Sequence, residues 1–257
     1  MVLTFFIMRL ALTLCLFTHL ITPCSAKGEN HPLSPITDVP GLPRILLIGD
    51  SISIGYTLPT RKALQGVANV HRIPANGGPT SKGLQNIEAW LGSSKWDVIH
   101  FNWGLHDLCY RHPDSKNQGN RDKENGSVTH SLQEYAANLE KLVVRMKQTG
   151  SRLIFATTTP VPEGEAGRKM GDDIRYNRAA LAIMRKHQVA VNDLHALMAN
   201  RMAQVGIRPG NVHFTRDGSA LLAMKVSRAV KEALETSAPE GSRVAGERNI
   251  LSAFPNE

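Results

Sequence analysis

Short apolar runs alternate with longer amphipathic stretches along most of the chain. Five of these runs have the length and content of strands that are buried on both faces of a sheet, although the second is weaker than the others. They are RILLIGD (44–50), NVHRIPA (69–75), WDVIHFN (96–102), SRLIFATTT (151–159) and VAVND (189–193). The pattern therefore predicts five strands of one sheet.

Apolar residues at helical spacing fill the gaps between these runs. Four helices are predicted: one after Thr80-Ser81 with Leu84, Ile87 and Leu91 on one face, one from Leu132 to Met146, one at 172–187 and one at 217–235. Strands that alternate with helices form parallel βαβ units packed in three layers. We therefore predict a single α/β domain over residues 44–236.

The two ends of the chain differ from this domain in composition. Residues 8–26, MRLALTLCLFTHLITPCSA, combine one basic residue, an apolar run and small residues at a cleavage position. They predict a signal peptide at 1–26 and a secreted or periplasmic protein. The apolar run is too short and too interrupted for a membrane span. Residues 27–43 contain four prolines and predict an extended leader, and residues 237–257 predict a flexible tail.

One internal segment also lacks the alternating pattern. Residues 111–126, RHPDSKNQGNRDKENG, contain no aliphatic or aromatic residue and cannot belong to a core. The segment follows the third predicted strand. It either forms a rim over a site at the end of that strand or is a disordered insertion.

Composition narrows the classes of partner. The net charge is +8 and the pI is about 9.6, but the basic residues are scattered and aromatic residues make up only 5%. Base stacking needs aromatic side chains among the basic ones, so we expect no nucleic-acid partner. Once residues 1–26 are removed, Cys109 is the only cysteine, and no disulfide can form within the chain.

Polar clusters follow three of the predicted strands. They are Gly49-Asp50-Ser51-Ile52-Ser53, Asn76-Gly77-Gly78-Pro79-Thr80 and the stretch from Asn102 to Asp107. A late histidine, His213, precedes the last predicted helix. In a doubly wound sheet, ligands bind beyond the carboxyl ends of the strands. A serine, a glycine-rich backbone, polar donors and a histidine at that edge predict an acyl-transfer site.

These clusters resemble the four sequence blocks of the SGNH (GDSL-type) hydrolases, a family of esterases and acylhydrolases. GDSIS resembles the nucleophile block, NGGPTSKGL the glycine block, GLHD the Gly-x-Asn-Asp block and NVHFT the histidine block. The resemblance implies a three-layer, flavodoxin-like fold with a five-stranded, mainly parallel sheet and helices on both faces. It also implies an ester hydrolase that needs no cofactor and no metal.

The resemblance assigns roles to single residues. Ser51 would be the nucleophile, and His213 the base that takes its proton. The backbone N–H groups of Ser51 and Gly78 would bind the oxyanion together with the ring of His106. Three further residues are expected to support the site: Asp50, Asn102 and Asp107. Asn102 is also a reserve donor for the oxyanion.

Two positions depart from the family pattern. His106 replaces the oxyanion asparagine, and a neutral imidazole can donate one N–H in its place. Gly210 stands three residues before His213, where the family has the aspartate that orients the histidine. Loss of that acid costs about 10⁴-fold in serine proteases. Either a backbone carbonyl of residues 208–210 orients His213 instead, or Asp217 does, although a carboxylate there also complements a helix dipole.

The sequence thus predicts a secreted serine esterase that cleaves short-acyl esters of a small molecule or a glycan, with acetylated carbohydrate as one candidate. The alternative is an SGNH-fold carbohydrate-binding protein of weak turnover, since the aspartate is absent. A third interpretation makes Asp50, His106, Asp107 and His213 a metal site for phosphoester hydrolysis, but no His-x-His spacing supports it. The sequence does not predict an oligomeric state.

Overall fold

Seven strands occur in the computed structural model, which describes residues 31–236. They are β1 (Arg44–Ile48), β2 (Asn69–Arg72), β3 (Val98–Phe101), β4 (Tyr110–Arg111), β5 (Ser127–Val128), β6 (Arg152–Ala156) and β7 (Ala190–Asn192). Five of them form a parallel sheet in the order β2-β1-β3-β6-β7, and β4 pairs antiparallel with β5. The five strands of the sheet are those that the sequence predicts. β2, with the sequence NVHR, is the least apolar of them, as expected from the weaker pattern.

Within the described residues, seven α-helices connect and cover the strands. They are α1 (Ser51–Ala63), α2 (Thr80–Leu91), α3 (Leu132–Lys147), α4 (Asp172–Lys186), α5 (Leu194–Met198), α6 (Met202–Val205) and α7 (Arg216–Glu235). α1 packs against α7, whereas α3 packs against both α2 and α4. Right-handed crossovers place these two groups on opposite faces of the sheet. The predicted three-layer fold is confirmed.

The direction in which successive strands are added to the sheet reverses at β1, because β2 lies on one side of β1 and β3 on the other. Ile45 of β1 pairs with Val70 of β2 on one side and with Val98 of β3 on the other. All of these strands run parallel, so their carboxyl ends lie at one edge, and the crevice at the reversal is the usual ligand site of such sheets. The loops after β1, β2 and β3 carry the three polar clusters.

The described part of the leader lies along β2. Val39 N–H donates to Asn69 Oδ1 at 2.8 Å, and Asp38 pairs with Arg44 at 2.8 Å. The predicted signal peptide and the predicted tail at 237–257 lie outside the described residues. Within residues 31–236, no helix is long and apolar enough to cross a membrane.

Residues 111–126 fold onto the domain through polar contacts. The backbone N–H of Lys123 donates to Ala166 O at 2.9 Å, and Arg121 pairs with Glu165 at 2.8 Å. A 3₁₀ turn at Gln118–Asn120 lies within the segment. Hydrogen bonds and an ion pair take the place of the apolar contacts that this sequence cannot make.

Candidate active site

The loops after β1 and before α7 bring Ser51 and His213 together. Ser51 is the first residue of α1, and its Oγ lies 2.8 Å from Nε2 of His213. His213 stands just before Thr215, whose hydroxyl caps α7 by accepting from Gly218 N–H. α1 packs against α7, and the predicted nucleophile and the predicted base lie at or just before the amino ends of these two helices.

The side chain of Asn211 holds the other ring nitrogen of His213. Asn211 Oδ1 lies 2.8 Å from His213 Nδ1 and accepts the backbone N–H of His213 at 2.9 Å. The expectation that a carbonyl of residues 208–210 or the carboxylate of Asp217 orients the ring is therefore wrong. Asp217 is exposed in the first turn of α7, where its charge complements the helix dipole.

The contacts of Asn211 fix the tautomer of His213. A backbone N–H can only donate, so the side-chain atom that meets it must be the amide oxygen. That same oxygen faces Nδ1, which must therefore carry a proton. Nε2 is then the acceptor and faces the hydroxyl of Ser51, as a general base requires. Sequence reasoning missed Asn211 because it searched three residues before the histidine and for a carboxylate.

Asp50 and the backbone of Ser51 form the amino end of α1. Asp50 is buried, and its Oδ1 accepts the Ile52 N–H at 2.9 Å. Within residues 31–236 the Ser51 N–H has no hydrogen-bond acceptor, as is usual at the first turn of a helix. This N–H is available to a ligand.

The Gly78 N–H is engaged in the structure. Gly78 has φ +60, a left-handed conformation that favours glycine, and its N–H donates to Asn76 Oδ1 at 2.9 Å. An oxyanion bound to Gly78 would have to replace the Asn76 oxygen.

After β3, the side chain of Asn102 makes a hydrogen bond within the protein, whereas the ring of His106 makes none within the described residues. His106 is partly buried, and its ring makes no hydrogen bond within the described part of the chain. Burial is the main cause that lowers the pKa of His106 below 6.5, so the ring is neutral at pH 7 and has one N–H to donate. Asn102 instead donates its Nδ2 to Ala156 O at 2.8 Å, which ties β3 to β6.

Asp107 links the third cluster to the second. It is fully buried, and its Oδ1 accepts from Thr80 N–H at 2.9 Å and from the Thr80 hydroxyl at 2.5 Å. His130 Nδ1 lies 2.8 Å from the same oxygen. Asp107 therefore fixes the start of α2, and with it the loop that carries Gly78.

Charged groups beside His213 come from two further segments. Burial is the main cause that lowers the pKa of His213; Arg168 and Arg121 also lower it, and Asp50 and Glu165 oppose them. Glu165 is fully buried between Arg121 at 2.8 Å and Arg168 at 2.9 Å. Arg121 belongs to the polar segment 111–126, so that segment contributes a charge to the rim of the site.

The four residues of the metal interpretation do not form a metal cluster. Within residues 31–236, no group of three or more His, Cys, Asp or Glu side chains is arranged to hold a metal ion. His213 contacts Ser51 and Asn211, and Asp107 contacts Thr80 and His130.

A sequence profile of the GDSL-like lipase/acylhydrolase family matches residues 47–221, which include all four blocks. The chain belongs to this family. It is accordingly a carboxylic ester hydrolase with the SGNH-hydrolase fold. No curated protein matches the chain.

Solved structures of esterases share the fold of this family member. The acetyl xylan esterase AlAXEase aligns with a TM-score of 0.60 at 14% identity, over 73% of this chain and 99% of its own. The lipase/acylhydrolase from Enterococcus faecalis gives 0.61 at 18% identity, over 74% and 96%. The acetylxylan esterase from Geobacillus stearothermophilus gives 0.58 at 19% identity, over 73% and 94%.

Proposed function

We propose that this esterase cleaves short-acyl esters through a triad of Ser51, His213 and Asn211. The observation that carries the proposal is the continuous hydrogen-bonded row in which Ser51 Oγ meets His213 Nε2 and His213 Nδ1 meets Asn211 Oδ1, each at 2.8 Å. Such a row is the arrangement of a nucleophile, its base and the group that orients the base.

In the proposed reaction, Ser51 Oγ attacks the ester carbonyl carbon and its proton passes to His213 Nε2. The tetrahedral intermediate collapses as the imidazolium returns that proton to the leaving alkoxide, which gives an alcohol and an acyl-serine. Water then attacks the acyl-serine by the same route and releases a carboxylic acid and free Ser51.

Three donors are proposed to receive the negative charge of the intermediate. Within residues 31–236 the Ser51 N–H makes no hydrogen bond, and the His106 ring is neutral with one N–H to donate. The Gly78 N–H becomes available when the oxyanion replaces Asn76 Oδ1. Preorganised donors are usually the largest single contribution to acyl transfer, and the Ser51 N–H at the start of α1 is of this kind. Asp50 and Asp107 support the donors through the starts of α1 and α2.

We propose acetyl groups on carbohydrate as the substrate class. The rim segment 111–126 has no aliphatic or aromatic side chain, and it offers hydrogen-bonding groups rather than an apolar surface for lipid. Two of the aligned structures carry the name acetyl xylan esterase or acetylxylan esterase. Export through residues 1–26, a prediction from the sequence, would bring the enzyme to such polymers.

Hydrolysis of p-nitrophenyl acetate tests the nucleophile. We expect turnover by the wild type and loss to background in Ser51→Ala, since the acyl-enzyme cannot form. Ser94→Ala, a change at an exposed serine, serves as the matched control and should keep the wild-type rate. Diisopropyl fluorophosphate should add its phosphoryl group to wild-type Ser51 and to no residue of Ser51→Ala, as read by peptide mass.

Activity of Ser51→Ala equal to that of the wild type would exclude this mechanism. A wild type without turnover or labelling that still binds acetylated xylooligosaccharides would support the carbohydrate-binding alternative instead. For the substrate class, release of acetate from acetylated xylooligosaccharide is the direct assay. Faster cleavage of p-nitrophenyl octanoate than of the acetate would contradict the short-acyl assignment.

A further inference from the structure

A buried arginine donates hydrogen bonds to the residues on both sides of the predicted nucleophile. Arg72 ends β2 and is only 8% exposed. Within the described residues, no carboxylate forms an ion pair with its guanidinium. Burial is the main cause that lowers the pKa of Arg72 to about 10, so the side chain keeps its positive charge at neutral pH. The buried carboxylate of Asp50 attracts this charge without forming an ion pair with it. A buried charge is costly unless its hydrogen bonds are well made.

Most hydrogen bonds of the guanidinium go to residues 49–53, around Ser51. Nη2 donates to Gly49 O at 3.0 Å and to Asp50 O at 3.2 Å, and Nη1 donates to Ser53 Oγ at 2.9 Å. Nη2 also donates to Ala75 O at 3.5 Å, and Nε has no hydrogen-bond partner within residues 31–236. Gly49 O also accepts the Gly77 N–H at 2.9 Å. Arg72 therefore stands where the nucleophile loop meets the glycine-rich loop.

One of these acceptors shares a peptide group with a proposed oxyanion donor. The carbonyl of Asp50 and the N–H of Ser51 belong to the same planar unit and point in opposite directions. A cation on the carbonyl fixes the plane and draws electron density from the amide, which makes the N–H a stronger donor. Ser53 Oγ and the Ile54 N–H also donate to Asp50 O, at 2.8 Å and 3.1 Å. Only Arg72 brings a full charge.

We propose that Arg72 is a positioning residue of the esterase: its guanidinium orients and polarises the Asp50–Ser51 peptide so that the Ser51 N–H binds the oxyanion. This inference rests on the proposed function, because it assigns a means of stabilising the intermediate formed at Ser51. Arg72 touches neither the substrate nor the reacting atoms. Its effect belongs to the transition state, in which the oxyanion carries its charge.

The test compares steady-state kinetics of Arg72→Ala and Arg72→Lys with the wild type. Weakening one oxyanion donor should lower kcat by about 10- to 100-fold, less than the loss of a whole donor. KM should stay within about twofold, because the ester oxygen of the ground state carries little charge. Arg72→Lys keeps the charge on one ammonium and should retain more kcat than Arg72→Ala. The acid limb of the pH profile should not move, since His213 is untouched.

Arg152→Ala is the matched control. Arg152 also donates to a main-chain carbonyl, Ala233 O at 2.6 Å, but at the opposite end of the sheet. It should change stability and leave kcat unaltered. Circular dichroism establishes folding for each variant, and if Arg72→Ala does not fold, Arg72→Lys decides.

Two results would overturn the inference while the proposed function stands: a folded Arg72 variant whose kcat is within twofold of an active wild type, or a loss confined to KM. A wild type without esterase activity, equal to Ser51→Ala, would instead refute the proposed function itself.

Discussion

At Asn211 an amide oxygen faces Nδ1 of His213, although the family pattern has its carboxylate one position earlier, at Gly210. The amide oxygen selects the tautomer of His213 as well as a carboxylate would, since the backbone N–H of His213 holds it in place. It cannot, however, supply a negative charge when His213 becomes an imidazolium. The proposed site is therefore ordered like a full triad but lacks part of its electrostatic stabilisation.

This difference predicts how the rate depends on pH. His213 must be neutral to act as a base, and its pKa is lowered chiefly by burial. The acid limb of kcat/KM should therefore have its midpoint below pH 6.5, and activity should persist into mildly acidic solution. In Asn211→Asp a carboxylate would raise the pKa of His213 and move the limb to higher pH. A profile of p-nitrophenyl acetate hydrolysis measures both; a limb that stays in place in Asn211→Asp would contradict the assignment.

The same residue makes a prediction about rate. Asn211→Ala should lower kcat/KM by about 10²- to 10⁴-fold, because nothing then holds the ring or its tautomer. Asn211→Asp should raise kcat/KM at pH 8 by about 10-fold, since one unit of pKa corresponds to a tenfold preference for the imidazolium. Initial rates at fixed pH test both variants. A wild-type rate in Asn211→Ala would remove Asn211 from the triad.

Sequence patterns reach some of these residues and not others. Ser51, Gly78 and His213 carry recognisable blocks, and the structure brings Ser51 and His213 into contact. Asn211 has no such signal, because an amide two residues before a histidine is an ordinary turn sequence. Arg72 also has no sequence signal, since an arginine at the end of a weak strand usually faces solvent. Their roles come from contacts between distant loops.

Among the elements, α2 depends on a carboxylate that it does not itself contain. Pro79 precedes the helix and offers no side-chain cap, so Asp107 from the loop after β3 supplies the acceptor for Thr80. The charge also complements the amino end of the helix dipole. A single residue thus joins the start of α2 to the third strand.

This link predicts a large loss of stability in Asp107→Ala. The Thr80 N–H, the Thr80 hydroxyl and His130 would each lose a buried acceptor, and the free energy of unfolding should fall by about 3 kcal/mol. Urea denaturation measures the change. Asp114→Ala, at a side chain that is 90% exposed, is the control and should stay within about 0.5 kcal/mol of the wild type. Equal midpoints for the two variants would show that Asp107 is not a structural cap.

The elements follow from the sequence where apolar residues specify them. The helix predicted at 172–187 is observed at Asp172–Lys186, and that at 217–235 at Arg216–Glu235. The short pieces within and around 111–126 have no periodic apolar residues to signal them. Backbone contacts such as Lys123 N–H to Ala166 O hold them, and hydrogen-bond partners so far apart in sequence leave no local pattern.

At the scale of the molecule, one buried group in the centre of the sheet makes folding sensitive to acid. His100 lies on β3 and is fully buried, with Nε2 at 3.1 Å from Asn192 Nδ2. Burial lowers the pKa of His100 to about 4. In the unfolded chain the pKa returns to about 6.5. Between these two values the unfolded state binds the proton more readily, so stability falls as the pH falls.

We therefore predict that the free energy of unfolding drops by about 3 kcal/mol between pH 7 and pH 4 because of His100 alone. His100→Gln keeps an acceptor for Asn192 but does not titrate, so its stability should fall less over this range. Urea unfolding at several pH values measures the slope. His112→Gln, at a more exposed histidine, is the control and should keep the wild-type slope. Identical slopes for wild type and His100→Gln would contradict the prediction.

The sheet places the polar loops after β1, β2 and β3 at one edge, and the loop before α7 brings His213 to the same edge. This follows from the strand order, in which β2 and β3 lie on either side of β1. The alternation of apolar runs with helices predicts parallel strands but not their order. The neutral partner of His213 has a consequence in the gene as well. An asparagine codon becomes an aspartate codon by one base change, so random mutagenesis with selection for faster hydrolysis at alkaline pH would reach Asn211→Asp in a single step.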